Sequence, residues 1–521
     1  MSVRDLKIDG KQAAWAGAIG LIAYAVALRL YFGAHIDLMP EETYYWNYSR
    51  HPDIGYLDHP PMVAWLIRCG TAVFGGTEFG VRIGAALCAA IAAVFVFRLT
   101  RNVFGEAIAV LALIMTQALP FFFLSGMLMT PDAPLTAAWA ASLYFLERAL
   151  IAGRTRAWWW AGLCLGLGML SKYTIGLLGL AALVFMLTDR EARPWLRRWE
   201  PYAAALLAFA IFSPVIVWNA EHDWISFAFQ TSRRLAGAPR FSLHKLIAAS
   251  LVLMTPTIFI AAMIALIRPR YSGEAPTGDP RRAAKLLRTA VWVPLAVFAA
   301  FSLRREVKLD WTGASWVAAL PLIAAEIVGA ARARGARAWV RAAWKPTIVV
   351  MSLLYGAGLY YLAYGIPGLG YSRQMELLPV GWRELGRRID HVAEDYRRRT
   401  GVMPLVVGMD RYVTASELAF YGPDQARSVA DTSSAHLFGG QGLMYEQWFP
   451  AERQRGRALL LVAWDKNSLE SDSIRAAVEE LGPVDSGTLT RGGRPIRDYY
   501  YRLARGYRGP AQPIKGGRGS T

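Results

Sequence analysis

The stretch "MPEETYYWNYSRHPDIGYLDHPPMVAWL", residues 39–66, follows directly on an apolar run and differs from it in every respect. It carries Glu41, Glu42, Asp53 and Asp58, two histidines, a dense set of tyrosines and tryptophans, and prolines that restrict the backbone. Whether it is a solvated loop or part of a reaction centre depends on what surrounds it.

The surroundings are apolar. Hydrophobic residues make up 55% of the 521, aromatics 12% and charged residues only 18%. That balance excludes an ordinary cytosolic enzyme. Windows of roughly 20 apolar residues recur, the length a helix needs to cross the hydrocarbon core of a bilayer. The net charge of +18 sits mostly in short loops between these windows, which points to membrane topology rather than to nucleic acid. Cys69, Cys88 and Cys164 are too scattered for a disulfide framework, and no cysteine-rich metal module is present.

The first window, residues 13–33, is longer than the apolar region of a signal peptide and is read as an uncleaved first transmembrane helix. Further windows fall near 80–100, 105–124, 133–150, 157–170, 173–188, 200–219, 247–267, 289–303, 312–331 and 346–364, eleven with the first. With the N-terminus inside, the inner loops collect Arg101, Arg154 and Arg156, the Arg190–Arg198 group, Arg268–Arg288 and Arg332–Lys345, as the positive-inside rule requires. Residues 34–79, 125–132, 170–174, 220–245 and 304–311 then face outward, with everything after about 365. The first expectation is therefore an α-helical polytopic membrane protein with its opening insert outside.

The tail changes character. "GWRELGRRIDHVAEDYRRR" has helical spacing, "MPLVVGMD" and "RALLLVAWD" read as short buried strands, and "IRAAVEELG" as a further helix. A small α/β domain over 366–508 is expected, external like the insert, with residues 509–521 disordered.

Polar residues gather on the outward side. Glu41 and Glu42 lie just past the first window, and Tyr45 with its aromatic neighbours suits the membrane–water interface. A carboxylate held there can act as a base on a hydroxyl. Asp58 and His59 precede Pro60-Pro61 and an amphipathic helix around 62–74. Asp132 stands between two prolines, either as a helix cap or as a second acid of the site. Lys172 interrupts two apolar windows; it either snorkels or meets a partner such as a lipid-linked phosphate. His222, Asp223, Arg233 and Arg234 occupy one outward loop, and Lys308 and Asp310 another, in company suited to a phosphate or an acidic sugar. No paired spacing such as HExxH supports a metal.

The segments "PEETYYWNYSRHPDIGYLDHPPMVAWLI", "MTPDAPL", "GLGMLSKYTIGLL", "SPVIVWNAEHDWISFAFQ" and "LAFYGP" together resemble the bacterial GT-C glycosyltransferases of the protein-mannosyltransferase superfamily. That group includes lipid A aminoarabinose and galacturonic acid transferases. The resemblance implies an inverting transferase using a polyprenyl-phosphate sugar at the outer face of the bacterial inner membrane, with an envelope lipid or glycan as acceptor. It implies a base at the first acid of an Asp-Glu pair, here Glu41-Glu42, with Asp58 and Asp132 positioning substrate and Lys172 facing donor phosphate. No nucleotide or diphosphate is involved, so no obligatory metal follows; a divalent ion is left open.

Rival classes are a lipid or glycan transporter, which calls for paired repeats and midplane charges, and a membrane anchor displaying a binding domain, which leaves the outer acids without a role. Within the enzyme class, a protein O-mannosyltransferase-like activity is the alternative.

Overall fold

The computed structural model describes residues 10–231, 239–267, 278–329, 335–371 and 379–510; Arg233, Arg234 and the terminal segment from 511 lie outside them. Every apolar window falls on a helix or a bent helix pair. In chain order these are α1 (Gly10–His35), α4 (Glu78–Phe104), α5 (Glu106–Ala118) with α6 (Pro120–Met127), α7 (Asp132–Leu150), α8 (Ala157–Met169), α9 (Gly176–Thr188) and α10 (Glu200–Glu221). After α11 (Ile225–Gln230) come α12 (Leu243–Met254) with α13 (Pro256–Ile267), α14 (Pro280–Ser302), α15 (Ala319–Gly329) and α16 (Ala336–Tyr364). Among the described residues five helices are long and apolar enough to cross a membrane, or seven if each bent pair is one span. The other four windows fall on helices outside that criterion.

The two bends have a common cause. α5 and α6 meet at 62° at Leu119–Pro120, and α12 and α13 at 107° at Thr255–Pro256. Proline removes a backbone donor and drives the preceding residue out of the α region. Thr255 accordingly sits at φ +63°, unusual for a β-branched residue.

The opening insert is largely helical. α2 (Pro40–Arg50) begins with proline at its first position and the pair Glu41-Glu42 in its first turn, both favoured there by the free N–H groups and the helix dipole. α3 (Met62–Phe74) follows where the amphipathic helix is expected. Glu42 caps α2, accepting from the Met39 N–H at 3.0 Å, and pairs with Arg82 of α4 at 2.5 Å with both side chains buried. Its other oxygen accepts from the Met129 N–H at 2.9 Å. One carboxylate thus ties the insert to two membrane segments.

The tail contains α17 (Trp382–Thr400), α18 (Val413–Tyr421) and a five-stranded sheet of order β2-β1-β3-β5-β4. β1 (Leu405–Gly408), β2 (Thr432–Ser434) and β3 (Leu459–Ala463) are parallel; β4 (Glu480–Arg491) and β5 (Arg494–Arg505) form an antiparallel hairpin that pairs with β3. The strands expected in "MPLVVGMD" and "RALLLVAWD" are β1 and β3. The helix expected over "IRAAVEELG" stops at Ala477, because Glu480 and Leu481 enter β4 to pair with Arg505 and Ala504.

Core packing runs across the division expected at residue 366. Leu38, Tyr44, Trp46 and Ile67 share one hydrophobic cluster with Leu385, Leu405, Phe420 and Leu460. The Phe420 ring stands edge-on to Trp46 at 5.0 Å, and the Leu38 N–H donates to the Tyr421 hydroxyl at 2.7 Å. The "LAFYGP" string therefore belongs to the seam where α18 lies on α2.

Candidate active site

A cavity of about 750 Å³ opens between the insert and the membrane helices. Its polar wall includes Glu41, Tyr45, Asp58, His59, Asp132, Lys172, Lys308 and Asp310. Its apolar wall is formed by residues such as Phe121, Leu124, Leu128, Leu253 and Phe298. Both bent pairs contribute, Phe121 and Leu124 from α6 and Leu253 from the end of α12. Irregular backbone at membrane depth is tolerated where it is buried in protein or lines a cavity.

Glu41 projects from the first turn of α2 while Glu42, one residue on, is turned away into its pairing with Arg82. Burial, with the Glu42 and Asp310 charges adding to it, raises the Glu41 carboxyl above its ordinary value, while Lys308 and its own backbone N–H act against the rise. A raised carboxyl is a stronger base once ionised. Glu417 of α18, completely buried, is held far above the usual range by burial and by the neighbouring Asp37, Glu42 and Glu41.

Asp132 is the first residue of α7; Pro131 occupies the cap position, and the carboxylate turns to Lys172 instead. Lys172 Nζ donates to both Asp132 oxygens at 2.9 and 3.0 Å and to Asp310 Oδ2 at 2.6 Å. Its place just after α8 fits a cation that has partners rather than one that snorkels. Burial alone would raise the Asp310 carboxyl, but the Lys172 ammonium more than offsets that and holds it well below the usual range. Asp310, in the loop after α14, was not singled out by spacing; its signal was the external "REVKLD" run.

Asp58 is 8% exposed at the cavity wall. Its Oδ1 accepts from the hydroxyls of Tyr44, at 3.2 Å, and Tyr48, and its backbone oxygen accepts from Gln230 Nε2 at 2.5 Å. His59 lies edge-on to Tyr45 at 5.7 Å.

The remaining expected residues lie elsewhere. His222 stacks on Trp218 at 4.1 Å, and Trp218 Nε1 donates to Asp53 Oδ2 at 2.8 Å, so this histidine is tied to the insert through Trp218 and does not line the cavity. Asp223 is exposed in a left-handed turn at φ +51°. Arg82 was missed, although an arginine inside the apolar window of α4 signals a buried partner. Among the described residues no group of three or more His, Cys, Asp or Glu is arranged to hold a metal ion.

Residues 58–218 match the family model described as dolichyl-phosphate-mannose-protein mannosyltransferase. The lipid A galacturonosyltransferase RgtD of Rhizobium johnstonii is 29% identical over 195 residues, 36% of this chain and 39% of that protein. The undecaprenyl phosphate-alpha-4-amino-4-deoxy-L-arabinose arabinosyl transferase of Pseudomonas aeruginosa is 28% identical over 314 residues, 53% of this chain and 54% of that protein. The matched stretches thus span about half or less of these relatives. In structure, ArnT from Cupriavidus metallidurans in the apo state superimposes with a TM-score of 0.60 at 15% identity, covering 94% of this chain and 98% of that one. The same protein bound to undecaprenyl phosphate gives a TM-score of 0.58 at 15% identity, with 93% and 98% covered. The resemblance to the protein-mannosyltransferase family therefore holds in sequence over residues 58–218, and the fold is that of ArnT over almost the whole chain.

Proposed function

We propose that this chain is an inverting glycosyltransferase that moves a sugar from a polyprenyl-phosphate donor to a hydroxyl of an envelope lipid or glycan, of the lipid A or lipopolysaccharide-core type. The observation that carries the reading is the cavity itself: one wall is apolar enough for an isoprenoid, the other presents Glu41, three aspartates and two lysines. The names of the matched relatives support a lipid-linked donor and a lipid A acceptor.

In this mechanism the acceptor hydroxyl gives its proton to Glu41 as its oxygen bonds to the anomeric carbon from the face opposite the leaving group. The bond from that carbon to the phosphate oxygen breaks, and the electron pair leaves with the polyprenyl phosphate. Lys308 and Lys172 stabilise the departing phosphate, Asp132 and Asp58 orient the sugars, and His59 and Tyr45 line the donor side. Monophosphate departure with lysine help requires no metal. His222, Asp223, Arg233 and Arg234 are assigned to the approach of the acceptor, and Glu42 to holding α2.

The enzyme resides in the bacterial inner membrane with eleven crossings, the N-terminus inside, and α2, the cavity and the five-stranded unit in the periplasm. Mass spectrometry of envelope lipids from cells with the wild-type gene, without it, and with Glu41→Gln tests the reading. The expected result is one sugar lost from a lipid or core glycan in both altered strains. Unchanged lipids and glycans would overturn it, and a sugar lost from proteins alone would move the acceptor to the protein class.

A further inference from the structure

Tyr44 and Tyr48 of the opening stretch have a use that the mechanism above does not draw on. Tyr44 and Tyr48 lie one helical turn apart on α2, both fully or almost fully buried, and both point their hydroxyls at Asp58 Oδ1. The Tyr48 hydroxyl is also 3.2 Å from that of Tyr44, so the two phenols and the carboxylate form one cluster. The cluster is closed from the tail. The Tyr412 ring packs on Tyr44 at 4.6 Å, and the Met444 N–H donates to the Tyr44 hydroxyl at 3.3 Å. Met444 also meets the insert through its sulfur, which accepts from the Leu57 N–H at 3.2 Å, one residue before Asp58. Trp448 adds an edge-on contact to Tyr48 at 5.8 Å.

Four aromatic rings and a backbone donor are a large investment of structure around one carboxylate that lines the cavity and is only 8% exposed. A buried carboxylate left without donors would take up a proton, since burial disfavours its charge. Phenol hydroxyls supply donors without adding a cation that would compete with substrate. The closing groups Tyr412, Met444 and Trp448 all come from the tail, about 370 to 400 residues further along the chain.

We propose that Tyr44 and Tyr48, clamped from the tail by Tyr412, are positioning residues that hold the Asp58 carboxylate aimed into the substrate cavity, so that the C-terminal unit is a working part of the site. This rests on the reading of the cavity as the substrate site. Burial raises the Asp58 carboxyl, and the hydrogen bonds from Tyr48, its own backbone and Tyr44 act against that rise, as does the more distant charge of Arg411. The other titratable groups facing the cluster are Tyr45 on α2, His59 next in sequence, Tyr173 between α8 and α9, and Tyr412 itself.

The test follows Asp58 directly. In the purified full chain in detergent, infrared titration reads the carbonyl band of its protonated carboxyl, assigned by its loss in Asp58→Asn. Tyr48→Phe removes one donor to the charged form, so the midpoint should move up by about one to two pH units. Tyr44→Phe should do the same if Tyr48→Phe does not fold. Tyr412→Leu, which unpacks Tyr44 without touching Asp58, should move the midpoint in the same direction, and Tyr412→Phe should restore it. Wild-type midpoints in both Tyr48→Phe and Tyr44→Phe would overturn the proposal; a shift there without one in Tyr412→Leu would overturn the part given to the tail. None of these readings needs a substrate. Loss of the function proposed above would show instead as Asp58→Asn leaving envelope lipids unchanged while the infrared shifts stand.

Discussion

Lys172 Nζ and Asp310 Oδ2 meet at 2.6 Å on the cavity wall, and Asp132 holds the same ammonium from the other side. A cation so placed is already satisfied, and a donor phosphate must share it with, or take it from, one of the carboxylates. Asp310 is the one to yield, its side chain being 40% exposed and set in a loop, against 14% for Asp132 at the head of a helix. Asp310→Asn should therefore tighten binding of undecaprenyl phosphate several-fold, the scale set by about 1 kcal/mol for a partly exposed pair. Lys172→Ala should weaken it. Titration of the purified protein with the lipid checks both signs; equal affinities would return Lys172 to a purely structural role.

Glu41→Gln preserves shape but removes basicity. Transfer should fall by about 10²–10⁴-fold, with undecaprenyl phosphate binding largely retained. In the wild type the base must be ionised, so the rate falls as pH drops through the folded-state value. That value is raised by burial, and the acid limb should lie above the ~4.3 of an ordinary glutamate. A limb at or below that point removes Glu41 from the base position.

Glu42 is a poor neutral control for Glu41, because its carboxylate balances Arg82 in the interior. Glu42→Gln should destabilise the protein by about 3–5 kcal/mol, the usual consequence of stranding one member of a buried pair. Thermal unfolding in detergent measures it. Glu42→Gln with Arg82→Met together should unfold closer to the wild type than Glu42→Gln alone.

Phe420→Ala removes the ring that packs on Trp46 and should cost about 3–5 kcal/mol. The damage should appear in α2, where amide hydrogen exchange should quicken, although the substitution lies in the tail.

Alkaline phosphatase fused within residues 190–199 should be inactive and fused after residue 365 active, as the arginine asymmetry requires. The reverse pattern would place the cavity on the wrong face for a periplasmic acceptor.

The helical body was legible in the sequence because lipid imposes one simple demand, a long apolar run, and each such run became a helix or a bent pair. The bends were not read, since a hydropathy window averages over the prolines at 120 and 256 that cause them. α2 is not among the helices expected from the apolar windows because it is polar, yet proline followed by two acids is a helix start by the rules of capping and dipole. Of the residues picked for chemistry, Glu41, Tyr45, Asp58, His59, Asp132, Lys172 and Lys308 converge on one cavity, whereas His222 and Asp223 do not. What spacing could not give were the long-range partners: Asp310 for Lys172, Arg82 for Glu42, and the tail for the tyrosines.

Leu38 and Tyr421 are hydrogen-bonded neighbours separated by 383 positions. At about 5–20 residues per second of synthesis, the helix bearing Glu41 leaves the ribosome tens of seconds before the helix that covers it exists. Membrane insertion can proceed during that interval, but the reaction centre cannot close. A chain halted between α16 and α18 holds all its membrane helices and an open, greasy seam, which makes the last quarter of translation the step at which a membrane-inserted chain becomes a finished one.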